Sequence, residues 1–160
     1  MSPTIGISSS YLLRLCKHCL NVQPEILPCD IFKAKSQLVD NSSFIVNIQK
    51  SNLPGSHFVC ILIKPEKIYY FDSLGFPIVN SYIDTKLKSV NKPVHYTSKP
   101  VQGEKSVFCA FYCLAFLIMC QDRGKTFEQF LKMFSYGYSD SYMKNEEKCT
   151  NIIKSSLTLS

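Results

Sequence analysis

Cys109, His57 and Asp72 are the residues of this chain whose types and settings could do chemistry together. Cys109 stands where a polar loop, VQGEKS (101–106), gives way to an apolar run from Val107 to Cys120. Such a switch, with Ser106 as the expected cap, marks the start of a buried helix. A thiol in the first turn of a helix feels the positive end of the macrodipole and unpaired backbone N–H groups, both of which favour thiolate over thiol. The same N–H groups can hold a developing oxyanion. Position thus makes Cys109 a candidate nucleophile, and such a thiol needs an imidazole to take its proton and a third group to orient the imidazole.

His57 and Asp72 meet only if the chain between them folds back. HFVCILIK (57–64) is almost continuously apolar, Lys64-Pro65-Glu66-Lys67 breaks the run, and IYYFD (68–72) resumes it. Two adjacent strands joined by a tight connection are predicted. In an antiparallel hairpin the start of the first strand lies opposite the end of the second, so His57 and Asp72 come together at one end. Either residue alone has a bland reading as a solvent-facing strand end; beside a helix-start cysteine they complete a triad. His18 and His95 compete for the role of base. His18 lies on a predicted helix with no carboxylate placed to orient it, and His95 sits in a short predicted strand, VHYT, between Lys92 and Lys99. His57 is the better base.

The remaining elements must hold these residues in place. Ser8 to Leu20 is predicted as a helix that turns Leu12, Leu13, Cys16, Cys19 and Leu20 inward. Pro24, Pro28 and Asp30 mark an irregular connection in which Cys29 only packs. SFIVNIQ (43–49) is a strand, and Asn52-Leu53-Pro54-Gly55 is turn chemistry. After the turn at Gly75 and Pro77, Ile78 to Val90 is a predicted helix with Ile83, Leu87 and Val90 inward, and His95 to Thr97 an edge strand. Gly124 ends the central helix. Thr126 to Phe134 is a further amphipathic helix, Ser135 to Ser141 a loop, Asn145 to Ile153 a last helix, and Lys154 to Ser160 is expected to fray.

With 160 residues, 46% of them hydrophobic, the chain suffices for one well-packed domain over residues 1–160, with a core at about 43–136. The run from Val107 to Cys120 falls short of the roughly 18–20 residues of a membrane span, and Met1 to Ser10 lacks a basic region followed by an apolar core. No membrane association is expected. Eight cysteines could frame disulfides, but several lie in apolar periodic segments and no export signal is visible, so reduced thiols in a cytosolic or nuclear setting are expected. Cys16-Lys17-His18-Cys19 has the spacing of half a zinc site; no second pair follows, and buried helix cysteines are the better reading. The net charge of +6 is spread along the chain and allows only a weak attraction to nucleic acid through a basic surface.

Three blocks carry a resemblance to a known family: GSHFVCILI around His57, IYYFDSLGFP around Asp72, and VQGEKSVFCAFYCLAFL around Cys109. Their order resembles the adenovirus-type cysteine proteases, adenain and the proteases of Polinton (Maverick) elements and adenovirus-like viruses, with the SUMO-specific proteases as wider relatives. A Gln seven residues before the nucleophile, and an apolar helix with a second Cys four residues after it, are similar to the family pattern in detail. The resemblance spans roughly Leu53 to Phe134, and YFDSLG is nearest the Polinton-type branch. It implies an α+β fold, with a small mostly antiparallel sheet packed against the central Cys-bearing helix and flanked by further helices. It also implies Cys109 as nucleophile, His57 as base and then acid, Asp72 as the orienting carboxylate, and Gln102 as oxyanion donor.

The chain departs from the family at Phe58, where Trp is usual, and at Ala110, where Gly is usual; Phe keeps an aromatic wall beside the imidazole, and Ala favours the helix. No cysteine lies between Asp72 and Gln102, so the activator disulfide of the adenovirus enzymes has no counterpart. The expected activity is that of a cofactor-free, metal-free, monomeric cysteine endopeptidase acting on viral or mobile-element structural precursors. Its expected place is the host nucleus or cytoplasm, with packaging in virions. Other readings stay open: a deubiquitinase or SUMO-specific isopeptidase, a catalytically inert binding module of the same fold, or a zinc-binding regulator.

Overall fold

The structure, a computed structural model, describes residues 7–54, 56–104, 106–136 and 139–158. Gly55 of the expected turn before His57, Lys105 of the polar loop, Gly137 and Tyr138 of the expected loop after Phe134, and the terminal Leu159 and Ser160 lie outside the described residues. Helix α1 (Ser9–Cys19) leads to strand β1 (Glu25–Pro28), helix α2 (Cys29–Ala34), and strands β2 (Ser43–Asn47), β3 (Phe58–Ile63) and β4 (Ile68–Phe71). Helix α3 (Ser81–Lys88), strand β5 (Val94–Tyr96), helix α4 (Cys109–Leu117), a π-helical turn (Ile118–Asp122), α5 (Phe127–Leu131) and α6 (Ser139–Thr158) complete the order. Among the described residues, no helix is long and apolar enough to cross a membrane.

The five strands of this α+β fold form one sheet in the order β1-β2-β3-β4-β5. It is mixed, not mostly antiparallel: β2–β3 and β3–β4 pair antiparallel, whereas β1–β2 and β4–β5 pair parallel. The reason lies in the connections. β3 and β4 are joined by a short turn, which forces the antiparallel arrangement, while α2 and α3 carry the chain back to the starting end before β2 and β5 begin. The Pro24 to Asp30 stretch is accordingly not an irregular connection: it holds β1 and the start of α2. Pro28 ends an edge strand, where a missing N–H does least harm.

Residues of β2, β3 and β4 alternate between two cores. Ile45, Phe58, Cys60, Leu62, Tyr69 and Phe71 face α1, α4, α5 and α6, and Phe44, Val46, Val59, Ile61, Ile63 and Tyr70 face α2 and α3. Coverage of both faces explains why these strands read as unbroken apolar runs. Helix α4 is buried almost all round, from Tyr112 through Leu117, as expected of a central element. Phe116 meets Phe71, Phe127 and Phe130 edge-on at 5.3–5.5 Å between centroids; truncating such a ring to Ala costs about 3–5 kcal/mol.

Several helix boundaries differ from expectation. α1 buries Leu12, Cys16 and Cys19, but Leu13 is 39% exposed because it lies just outside the apolar stripe. α3 starts only after the Asn80 cap rather than at Ile78, and Val90 is half-buried beyond its end. α5 covers Phe127–Leu131 behind a Thr126–Gln129 capping box and stops short of Phe134. α6 replaces the expected loop end, short helix and frayed terminus: it begins at Ser139 and continues to Thr158. A stripe of Asn145, Cys149, Ile152 and Ile153 packs it on the core, and Arg123 holds its last turns through Ser155 and Ser156 at 2.8 and 3.2 Å.

Candidate active site

The β3–β4 hairpin brings the first two residues together. Its register pairs Cys60 with Phe71 and Ile63 with Ile68, which leaves His57, just before β3, and Asp72, just after β4, at the same open end. His57 Nε2 lies 2.7 Å from Asp72 Oδ1, and the two residues are only 8% and 5% exposed. The carboxylate is itself fixed, because Oδ1 also accepts the Leu74 N–H at 2.9 Å. With Nε2 engaged, Nδ1 is the nitrogen left for the Cys109 thiol, which borders the same cleft as His57 and shifts the His57 pKa as His57 shifts its own.

Cys109 is the first residue of α4, so its backbone N–H has no intrahelical acceptor. Ser106 is not the N-cap, as the polar loop suggested. Phe108 occupies that position without a side-chain cap bond, and the Ser106 hydroxyl instead accepts the Phe108 N–H at 3.2 Å and donates to Glu146 at 2.5 Å.

The electrostatics pull the pair towards charge separation. Burial, the largest influence on His57, lowers its pKa, but the Asp72 and Cys109 hydrogen bonds and charges together outweigh it and push the pKa up to about 9. Burial likewise raises the Cys109 thiol, yet His57 and the N–H groups of Phe58 and Ala110 bring it below its ordinary value. One turn further on, Cys113 points into the core, where it donates to the Phe58 carbonyl at 3.6 Å. Burial and the neighbouring Cys60 hold its pKa well above the ordinary range.

Gln102 joins the group from the loop before α4. It is 3% exposed and borders the cleft that also contains His57 and Cys109, with a volume of about 600 Å³. Its Nε2 donates to the Ser106 carbonyl at 2.8 Å, and its Oε1 accepts from the Ser73 hydroxyl. An amide nitrogen carries two hydrogens, so one is not taken up by the Ser106 carbonyl. Phe58 and Ala110 line the same cleft. The other histidines stand apart: His18 is exposed at the end of α1 in a separate cavity with Lys17 and Arg123, and His95 is exposed on β5, its ring 6.1 Å from Tyr69. Among the described residues, no three His, Cys, Asp or Glu side chains gather as a metal ion would require.

Sequence reasoning missed the supports of Gln102. Asn145, fully buried on α6, donates to the Val101 carbonyl at 3.0 Å and to the Ser135 carbonyl at 2.8 Å, and accepts the Ser135 N–H at 2.8 Å. Tyr112 donates to the same Val101 carbonyl at 3.2 Å. Only Ser73 carried a local signal, as the residue directly after the carboxylate, and serine in a turn reads first as turn chemistry. Residues 7–9, before and at the start of α1, also reach the cleft. Compared with known proteins, the sequence matches no family model and no curated protein.

Proposed function

We propose that this protein is a cysteine endopeptidase of the adenain-like kind. The observation that carries the reading is the position of His57, held on one side by the buried Asp72 carboxylate and sharing a cleft with a thiol at the start of a helix. A thiolate–imidazolium pair is the reactive form such a setting favours. The thiolate of Cys109 adds to a peptide carbonyl, and the carbonyl electron pair moves onto oxygen. The Cys109 N–H and the free Gln102 amide hydrogen are the donors for that oxyanion. As the carbonyl reforms, the C–N bond breaks and the imidazolium of His57 gives its proton to the leaving amine, which leaves a thioester. His57, now neutral, takes a proton from water as the water attacks the thioester, and collapse of the second oxyanion releases the acid and the thiolate.

The resemblance of the three sequence blocks makes structural precursors of a virus or mobile element the proposed substrates. A decisive experiment is exposure of the whole protein to a peptide carrying a thiol-directed electrophile. Rapid modification confined to Cys109, and its loss in His57→Ala, is expected. Slow modification of Cys109, or an equal rate in His57→Ala, would favour an inert module of the same fold. Cleavage of structural proteins encoded beside this one, set against a ubiquitin-type reporter, separates an endopeptidase from an isopeptidase.

A further inference from the structure

We propose that Ser73 is a positioning residue that aims the Gln102 amide at the developing oxyanion, an inference that rests on the reading of Gln102 as an oxyanion donor. A glutamine amide can present either its oxygen or its nitrogen to a cleft, and only the nitrogen can hold an oxyanion. The surroundings of Gln102 allow one orientation. The Ser106 carbonyl, 2.8 Å from Nε2, can only accept, so the NH₂ group must face it. Oε1 then faces the Ser73 hydroxyl, which must donate. Both residues are buried, at 2% and 3% exposure, so no water competes freely for either end. The remaining amide hydrogen is left for the cleft.

Ser73 holds the backbone of the same segment as well. Its carbonyl accepts the N–H groups of Val101 at 2.9 Å and of Gln102 at 3.0 Å. The approach is close because the next turn passes Pro100 at Gly75, where a Cβ would lie 2.5 Å from the Pro100 nitrogen. Ser73 follows Asp72 directly in the chain. One turn therefore sets both the carboxylate that orients the base and the hydroxyl that orients the oxyanion donor. Hydroxyl donation to Oε1 also draws electron density from the amide and strengthens its N–H groups as donors.

The test uses the full-length protein and p-nitrophenyl acetate, with Cys109→Ala as the blank. Loss of one neutral orienting hydrogen bond should lower kcat in Ser73→Ala about tenfold with little change in KM. Alkylation of Cys109 by iodoacetamide passes through no oxyanion, and it should keep its parental rate. In a Gln102→Ala background, Ser73→Ala should cause no further loss. Unchanged turnover, an equal loss in both backgrounds, or a parallel fall in alkylation would overturn the proposal. Should Ser73→Ala not fold, Ser73→Cys keeps the volume with a weaker donor and is held to the same outcomes. A parent that fails to hydrolyse the ester, or in which Cys109 is not the fast thiol, would instead overturn the peptidase reading, and this inference with it.

Discussion

Cys109 and Cys19 are equally exposed, at 9%, but they occupy opposite ends of their helices: Cys109 is the first residue of α4 and Cys19 the last of α1. Burial raises the Cys19 thiol above its ordinary pKa, whereas His57 and two backbone N–H groups overcome burial at Cys109 and lower it. The helix dipole acts in the same two senses, favouring a thiolate at the N-terminus and opposing it at the C-terminus. Brief treatment with iodoacetamide near neutral pH should therefore label Cys109 far faster than Cys19. Cys16, Cys60, Cys113, Cys120 and Cys149, all 2% exposed or less, should label more slowly still. Mass spectrometry reads the result, and comparable labelling of Cys19 and Cys109 would mean that exposure alone governs reactivity.

The proton on His57 should persist well above neutrality. Its pKa is raised from 6.5 to about 9, so the folded protein binds more protons than the unfolded chain between those values. The stabilisation from this group is complete below the unfolded pKa and is lost as pH rises through about 9. Imidazole NMR resonances should titrate near that upper value, and lower in Asp72→Asn, which removes a charge that favours the imidazolium. On the proposed mechanism, turnover should fall on the same alkaline limb, because His57 would no longer hold the proton for the leaving amine.

Substitutions should rank by role. Cys109→Ala should abolish turnover, and His57→Ala should come close to it. Asp72→Asn should cost less, because a thiolate–imidazolium pair depends less on its carboxylate than a serine nucleophile does. Gln102→Ala should lower kcat on the order of a hundredfold or more, about 2.7–4 kcal/mol, with KM nearly unchanged. A Gln102→Ala protein that melts early yet keeps its kcat would assign the residue to loop support alone.

Two glycines provide an internal control on the turn that carries Asp72 and Ser73. Both adopt positive φ, +78° at Gly75 and +67° at Gly124. An added Cβ at Gly75 would lie 2.5 Å from the Pro100 nitrogen and 2.7 Å from the Lys99 carbonyl carbon, whereas at Gly124 it meets nothing within 4 Å. Gly124→Ala should lose only the cost of a left-handed alanine, about 1–2 kcal/mol. Gly75→Ala should lose that and the clash as well, so its melting temperature should fall further, and its kcat should fall with it as the Gln102 segment shifts. Equal melting temperatures for the two variants would mean that the Asp72 turn and the Gln102 segment are not tightly packed.

Much of the site was legible locally. A tight hairpin sets its own register, so the apolar runs on either side of Lys64-Pro65-Glu66-Lys67 were enough to bring His57 and Asp72 to one end. The change from polar loop to apolar run located the start of α4 within a few residues of Cys109. Ser106 reads as a cap in the sequence because its partner, Glu146, lies 40 residues away on a helix that begins earlier than its own periodicity suggests.

The sequence by itself determined the hairpin, the helix-start thiol and the apolar faces, because each depends on neighbours within a few turns of chain. Only the tertiary structure decided the parallel edges of the sheet, the full length of α6 and the orientation of the Gln102 amide. That amide is held by Ser73, 29 residues earlier, and its backbone by Asn145, 44 residues beyond Val101. Polar contacts over such separations leave no periodicity in the sequence; they exist only once the two cores have packed and excluded the water that would otherwise satisfy each group.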